Sequence, residues 1–197
     1  MTPKRIGFGL VALSAAFVLA CIITEAQGKD PSKVVTKPFK VDGEGDSVTG
    51  LVFPPLFSCH DATGTATHLG AYTTKDGKFS IESFDPATLI GEFHGSVVFV
   101  AANGDELKFT YQASANPELD GTGKFYGVPQ EDGTLIATFI QEFTPVPEES
   151  TGRFAKVTGG SFIMTATSEP VPAPYFGVPF AFTWEGEGSL EFAAGIK

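Results

Sequence analysis

Beyond residue 34, apolar and polar side chains alternate at every second position over most of the chain. In ELKFTYQA, Leu107, Phe109, Tyr111 and Ala113 fall on one side, while Glu106, Lys108, Thr110 and Gln112 fall on the other. That period belongs to a β-strand with one wet face. It recurs in VVTKPFKV, TATHLGAYTT, FSIESF, EFHGSVVFVAA, TLIATFIQEF, GSFIMTAT, FAFTWE and SLEF, and another strand is expected after Val48. Together these give about eight to ten strands. Apolar residues seldom recur at three-to-four spacing, and 23 Gly and 14 Pro interrupt the windows an amphipathic helix needs. No helix is expected.

Turn chemistry divides the strands. Asp76-Gly77, Asn103-Gly104 and Asp132-Gly133 are dipeptides that tolerate the positive backbone angles of hairpin turns. In FAFTWEGEGSLEF the glycines predict one more turn, making two strands of a C-terminal hairpin. The prolines of EPVPAPYFGVP predict a loop before it. A run of hairpins with one apolar face and no helix to cover it must close on itself or fold into a sandwich. Closure also removes exposed edges. The expected fold class is therefore all-β: a single antiparallel closed β-barrel of about eight strands.

Length and composition refine this picture. A chain of 197 residues suits one well-buried domain, and 19 Phe against 4 Tyr and 1 Trp favours rings that need no hydrogen-bond partner inside. The net charge of -10 argues against nucleic acid as a partner, because such binding relies on Lys and Arg neutralising phosphates. It equally disfavours docking on an anionic membrane surface.

The N-terminus departs from the strand pattern. Lys4 and Arg5 precede an apolar run from Ile6 to Ile23, and the first acid is Glu25, which is the layout of a secretory signal. Three outcomes are compatible with it. Cleavage after Ala26 releases a secreted or periplasmic protein beginning at Gln27. Cleavage after Ala20, within the lipobox-like Val18-Leu19-Ala20-Cys21, leaves Cys21 lipidated as the new N-terminus. An uncleaved run of about 18 residues could span a bilayer. Membrane contact is expected only through this segment or through lipid on Cys21. The resulting layout is a signal peptide at 1–26, a polar linker at 27–33 and the barrel domain at 34–197. After either cleavage Cys59 is the only thiol available, so no internal disulfide is expected.

Candidate chemistry is sparse. STGRFAKVTGGSFIMTAT contains a glycine cluster, but a phosphate-binding loop needs glycines followed by Lys-Ser/Thr and a helix. Here Gly159-Gly160 lead into a strand-like run and Lys156 precedes them, so a turn or bulge is expected. Cys59-His60-Asp61 cannot act as a relay in an extended segment, because His60 faces away from its two neighbours. Cys59 is expected to be a small buried hydrophobe. His60, His68 and His94 show no tight ligand spacing; Glu92 and His94 share one strand face, and His68 is expected to be satisfied by a neighbouring strand. Asp105, Glu106, Asp120, Glu131, Asp132, Glu148, Glu149, Glu185 and Glu187 fall at turns or on the wet face. No catalytic residue, metal, cofactor or oligomeric state is assigned.

Three stretches carry a resemblance: ATHLGAYT at 66–73, AANGDELKFTY at 101–111 and STGRFAKVTGGSFIMTAT at 150–167. They resemble bacterial exported proteins with an allene-oxide-cyclase-like or dirigent-like, calycin-like β-barrel. In that family a His-Leu-Gly segment, an Ala-Asn-Gly-Asp hairpin and a Gly-Thr-Gly-Arg-Phe-Ala-x-Ala-Thr-Gly turn occur in this order. Lys156 and Val157 depart from the small residues usual there, while Gly152 and Gly159 match. The resemblance implies a small antiparallel barrel with an apolar interior, and Phe154 packed in the core. It maps no catalytic residue onto this chain, and fold does not carry a reaction with it.

The expectation is an exported, non-catalytic barrel with Phe109, Tyr111, Phe182 and Trp184 lining a place for a small apolar molecule, or simply filling the core. One alternative is an isomerase or cyclase-type enzyme with a shaped apolar pocket, which predicts Glu92 or His94 inside the barrel. Another is a lipid-anchored envelope interaction protein.

Overall fold

The alternating segments form strands in the computed structural model, which describes residues 34–49, 56–172 and 178–194. The signal-like segment, both cleavage positions, Cys21, the 27–33 linker and the middle of the proline-rich stretch lie outside the described residues. The strands are β1 (Val34–Thr49), β2 (Leu56–Ala66), β3 (Gly70–Asp85), β4 (Ile90–Ala101), β5 (Glu106–Gln112), β6 (Lys124–Pro129), β7 (Thr134–Pro145), β8 (Val157–Ser168), β9 (Val171–Pro172) and β10 (Pro179–Ala193). Among the described residues the only helical turns are three short 3-10 pieces, Pro117–Leu119, Pro147–Glu149 and Gly152–Lys156.

All ladders are antiparallel. Strands follow one another in the order β3-β2-β1-β10-β8-β7-β5-β4, and a β3–β4 ladder joins the two ends. The sheet is thus a closed barrel of eight staves. β5 and β6 share one stave. β5 pairs with Gly95–Val100 of β4 and Glu142–Pro145 of β7, and β6 continues along Ile90–Glu92 and Leu135–Ile140. Between them the chain leaves the wall from Ala113 to Gly123 and returns to it. Gly123 N–H donates to the Ile140 carbonyl at 2.6 Å. Its φ of 71° is in the left-handed region, and a Cβ there would stand 2.5 Å from the Ala113 nitrogen, so only glycine closes this excursion.

The inward positions carry the phenylalanines. Phe39, Phe99, Phe109, Phe143 and Phe162 are fully buried at mid-barrel; most of their contacts are edge-to-face or tilted, as in Phe109–Phe162 at 5.1 Å and 88°, while Phe143 and Phe162 stack at 4.9 Å. Burial of each such ring stabilises by roughly 1.5–3 kcal/mol. Leu69, Phe154, Val157 and Leu190 fill the end where β1 begins. Phe154 reaches it from the Gly152–Lys156 turn, as the resemblance implied, with the Arg153 guanidinium over its ring at 5.1 Å. Arg153 also bonds the Leu69 carbonyl at 3.3 Å and approaches Asp105 at 3.4 Å. Gly159 and Gly160 sit inside β8, so no helix start faces an anion there.

Four local expectations are corrected. Asp76-Gly77 is not a hairpin turn but a bulge inside β3, where the registers with both β2 and β4 shift. The chain reverses instead at Thr67–Leu69, within a segment expected to be extended, with His68 at φ 70°. The glycines of WEGEG do not turn: β10 runs unbroken beside β1, from Val34 opposite Ala193 to Val48 opposite Pro179. Gly188 is bare because a Cβ would stand 2.6 Å from the Phe162 Cα of β8. Ala113 has left the strand and is exposed.

Candidate functional site

β-strand alternation aims Tyr111, Phe182 and Trp184 into the barrel. With Phe79, Phe93, Phe139, Phe143 and Phe180, and with Ser47, His60, Gln141 and Ala166, they bound a cavity at the end where β1 finishes and β2 starts. Its open volume is about 40 Å³. That is room for a few water-sized groups, well under the roughly 300–1,000 Å³ of a drug-sized site. Among the described residues the barrel is therefore mostly filled, and this cavity lies at its Ser47 end.

Phe109 does not line the cavity. It lies two residues nearer the Phe154 end of the same stave and packs on Phe39, Phe99, Phe143 and Phe162. Membership of the inner face was right; height along the barrel was not.

The polar groups inside are few and connected. Tyr111 O–H donates to the Lys78 carbonyl at 3.0 Å. Its single proton is thereby committed, so the 2.9 Å contact between His60 Nε2 and Tyr111 Oη requires Nε2 to donate. Nδ1 is then an acceptor, and it has no hydrogen-bond partner among the described residues. The imidazole lies against the bulge: a Cβ on Gly77 would stand 2.9 Å from Nδ1 and 2.8 Å from Cε1. Rings of Phe79, Tyr111, Phe182 and Trp184 surround it within 5.8–6.3 Å. This burial lowers the His60 pKa to about 4 and raises that of Tyr111 well above its ordinary value. Gln141, on β7 opposite β2, has a buried carbonyl oxygen without a hydrogen-bond partner, as does the Ser58 hydroxyl. Ser47 donates to the Cys59 carbonyl at 3.2 Å.

Several expected positions are elsewhere. Cys59 is exposed, not buried; Asp61 shares its outer face, and His60 takes the inside. Glu92 and His94 stand on the outer wall, because Phe93 between them takes the inward position. His94 Nδ1 meets Glu82 at 2.9 Å, and Ser83 donates to Glu92 at 3.2 Å. The isomerase or cyclase alternative thus loses the polar groups it predicted inside. His68 sits half-buried in the β2–β3 turn, edge-on to Phe192 at 5.7 Å. It bonds the backbone of Pro38 on β1, while Nε2 has no hydrogen-bond partner among the described residues.

His60 and Gln141 were missed as lining residues. The signal for His60 was present: Asp61 must face water, so its neighbour faces in. Gln141 was harder to find, since Ile136 and Ile140 make the outer face of β7 apolar too. Among the described residues no acid, lysine or arginine lines the cavity. Such a wall can bind and orient an uncharged molecule, and it offers no general acid or base that titrates near neutrality.

No family model matches this chain, and comparison with curated proteins and with solved structures found no match.

Proposed function

We propose that this chain is an exported, non-catalytic β-barrel that takes a small apolar molecule into the aromatic cavity at its Ser47 end. The cavity carries the proposal. Phenylalanine rings, Tyr111 and Trp184 wall it, with no charged side chain among the described residues that line it, and such a surface favours transfer of an apolar solute out of water. The resemblance to allene-oxide-cyclase-like barrels agrees with an apolar interior and adds no reaction. Export rests on the Lys4–Ile23 pattern, and lipid attachment at Cys21 is the alternative to release at Gln27.

Trp184, the only tryptophan of the chain, lines the cavity and reports on it. Methanol, ethanol and similarly small solutes, titrated into the protein, are expected to shift or quench its emission saturably and to raise the thermal midpoint. An unchanged emission and midpoint across such a panel defeats the proposal. Mass spectrometry of the mature N-terminus separates release at Gln27 from lipid on Cys21.

A further inference from the structure

The polar side chains among the cavity's lining residues are Ser47, His60, Tyr111, Gln141 and Trp184, none more than 7% exposed. Four of them spend a proton elsewhere in the barrel. Ser47 donates to the Cys59 carbonyl, Tyr111 to the Lys78 carbonyl, His60 Nε2 to the Tyr111 oxygen and the Trp184 indole to the Tyr72 oxygen. His60 Nδ1 and Gln141 Oε1 are sealed off by surrounding atoms. The surface left facing the cavity is almost all carbon.

Space sets a second limit. A dry apolar cavity known to hold benzene has roughly 150 Å³, and the open volume of about 40 Å³ here is near a quarter of that. An aromatic ring does not fit, whereas two or three heavy atoms do.

The two limits act together. A hydroxyl or amine carried inside gives up its hydrogen bonds to water and meets carbon. A charged group loses more, since no acid, lysine or arginine is among the described lining residues. Water faces the same penalty, and apolar cavities stay dry. The rings of Phe79, Phe93, Phe139 and Phe182 gain dispersion contacts with any guest that fills the void.

We infer that the cavity selects apolar molecules of two or three heavy atoms with no hydrogen-bonding group, of the size of ethane, ethene or dioxygen. This rests on the proposal that the cavity takes an apolar ligand, and it fixes the size of that ligand and bars a polar group from it.

The probes are xenon, ethane, methanol and toluene, added to the full chain at pH 7. Xenon under pressure is followed by its NMR chemical shift, and the other three by Trp184 emission and by competition with xenon. Ethane and methanol match in heavy atoms and differ in polarity, so ethane is expected to bind about tenfold tighter or more. Toluene is expected not to displace xenon. Ala166, a lining residue on β8, provides the control. Ala166→Val fills the void and should abolish the xenon shift while near-UV circular dichroism at Trp184 verifies the fold. If Val disturbs packing, Ala166→Ser replaces it, and its hydroxyl should narrow the preference for ethane over methanol. Methanol binding as tightly as ethane overturns the inference, as does toluene competing with xenon. So does a wild-type xenon shift in folded Ala166→Val, or an unchanged ethane preference in folded Ala166→Ser. If xenon, ethane and methanol all fail to bind, the proposed function itself falls, and this inference with it.

Discussion

The indole N–H of Trp184 donates to the phenol oxygen of Tyr72 at 2.7 Å, linking β10 to β3 across β1 and β2. The Tyr72 hydroxyl donates onward to the Asp42 carbonyl at 3.1 Å. The link passes where the intervening strands are bare. A Cβ at Gly43 would stand 2.5 Å from the Tyr72 oxygen and 2.6 Å from the indole nitrogen.

Gly43→Ala therefore forces apart a buried pair rather than filling a void. The expected loss is about 1–3 kcal/mol, the usual cost of overpacking. Tyr72→Phe leaves the indole N–H and the Asp42 carbonyl without their partner and should cost about 1–3 kcal/mol. Urea unfolding followed at Trp184 measures both. Equal midpoints for wild type and Tyr72→Phe would show that the bond contributes nothing.

His60 makes stability fall in acid. Its folded pKa of about 4 lies below the ordinary 6.5, so between those values the unfolded chain binds a proton that the folded chain refuses. The contribution is fully present above pH 6.5 and is lost as pH drops towards 4. Its size is about 3 kcal/mol. Unfolding midpoints taken through this window should slope for the wild type and flatten in His60→Gln. An identical slope in the variant would assign the acid sensitivity elsewhere.

The phenols act at the opposite extreme. Burial raises the pKa of both Tyr72 and Tyr111, so each stays protonated in the fold at pH values where an unfolded tyrosine ionises. The stability they confer is present below about pH 10 and declines above it. Absorbance at 295 nm should show a subset of phenols ionising reversibly, with the remainder appearing only together with loss of the Trp184 near-UV signal. Simultaneous titration of all four tyrosines in the intact fold contradicts this.

Phe154 closes the end opposite the cavity and is only 1% exposed. Phe154→Ala should cost about 3–5 kcal/mol, as for other large-to-small core changes. Binding of small alcohols at the Ser47 end should persist in the folded fraction, because the cavity lies at the other end of the barrel. Loss of binding in fully folded Phe154→Ala would show that the two ends are coupled.

Strand existence and the closed architecture were legible because period-two alternation marks a half-buried strand whatever its partners. Turn placement was legible only in part. Asn103-Gly104 and Asp132-Gly133 reverse the chain, whereas Asp76-Gly77 bulges within β3. The dipeptide supplies a permitted backbone shape, and the ladders on either side decide whether that shape ends the strand. The glycines of β10 were opaque for a related reason: they mark close approach to β8, which sequence expresses identically to a turn. The shared stave of β5 and β6 could not be foreseen, since KFYGVP looks like any short strand. At the site, alternation identified the side of Tyr111, Phe182 and Trp184 correctly. It carries no information on depth, and so it placed Phe109 beside them.

The excursion from Ala113 to Gly123 begins and ends at one point of the wall, so its length is uncoupled from the number of staves. A peptide grafted between those two residues would be held at both ends against the barrel flank without altering any ladder. The molecule thus carries a built-in position for an epitope, a label or a tether, anchored beside Phe93, whose N–H donates to the Gly123 carbonyl at 2.9 Å.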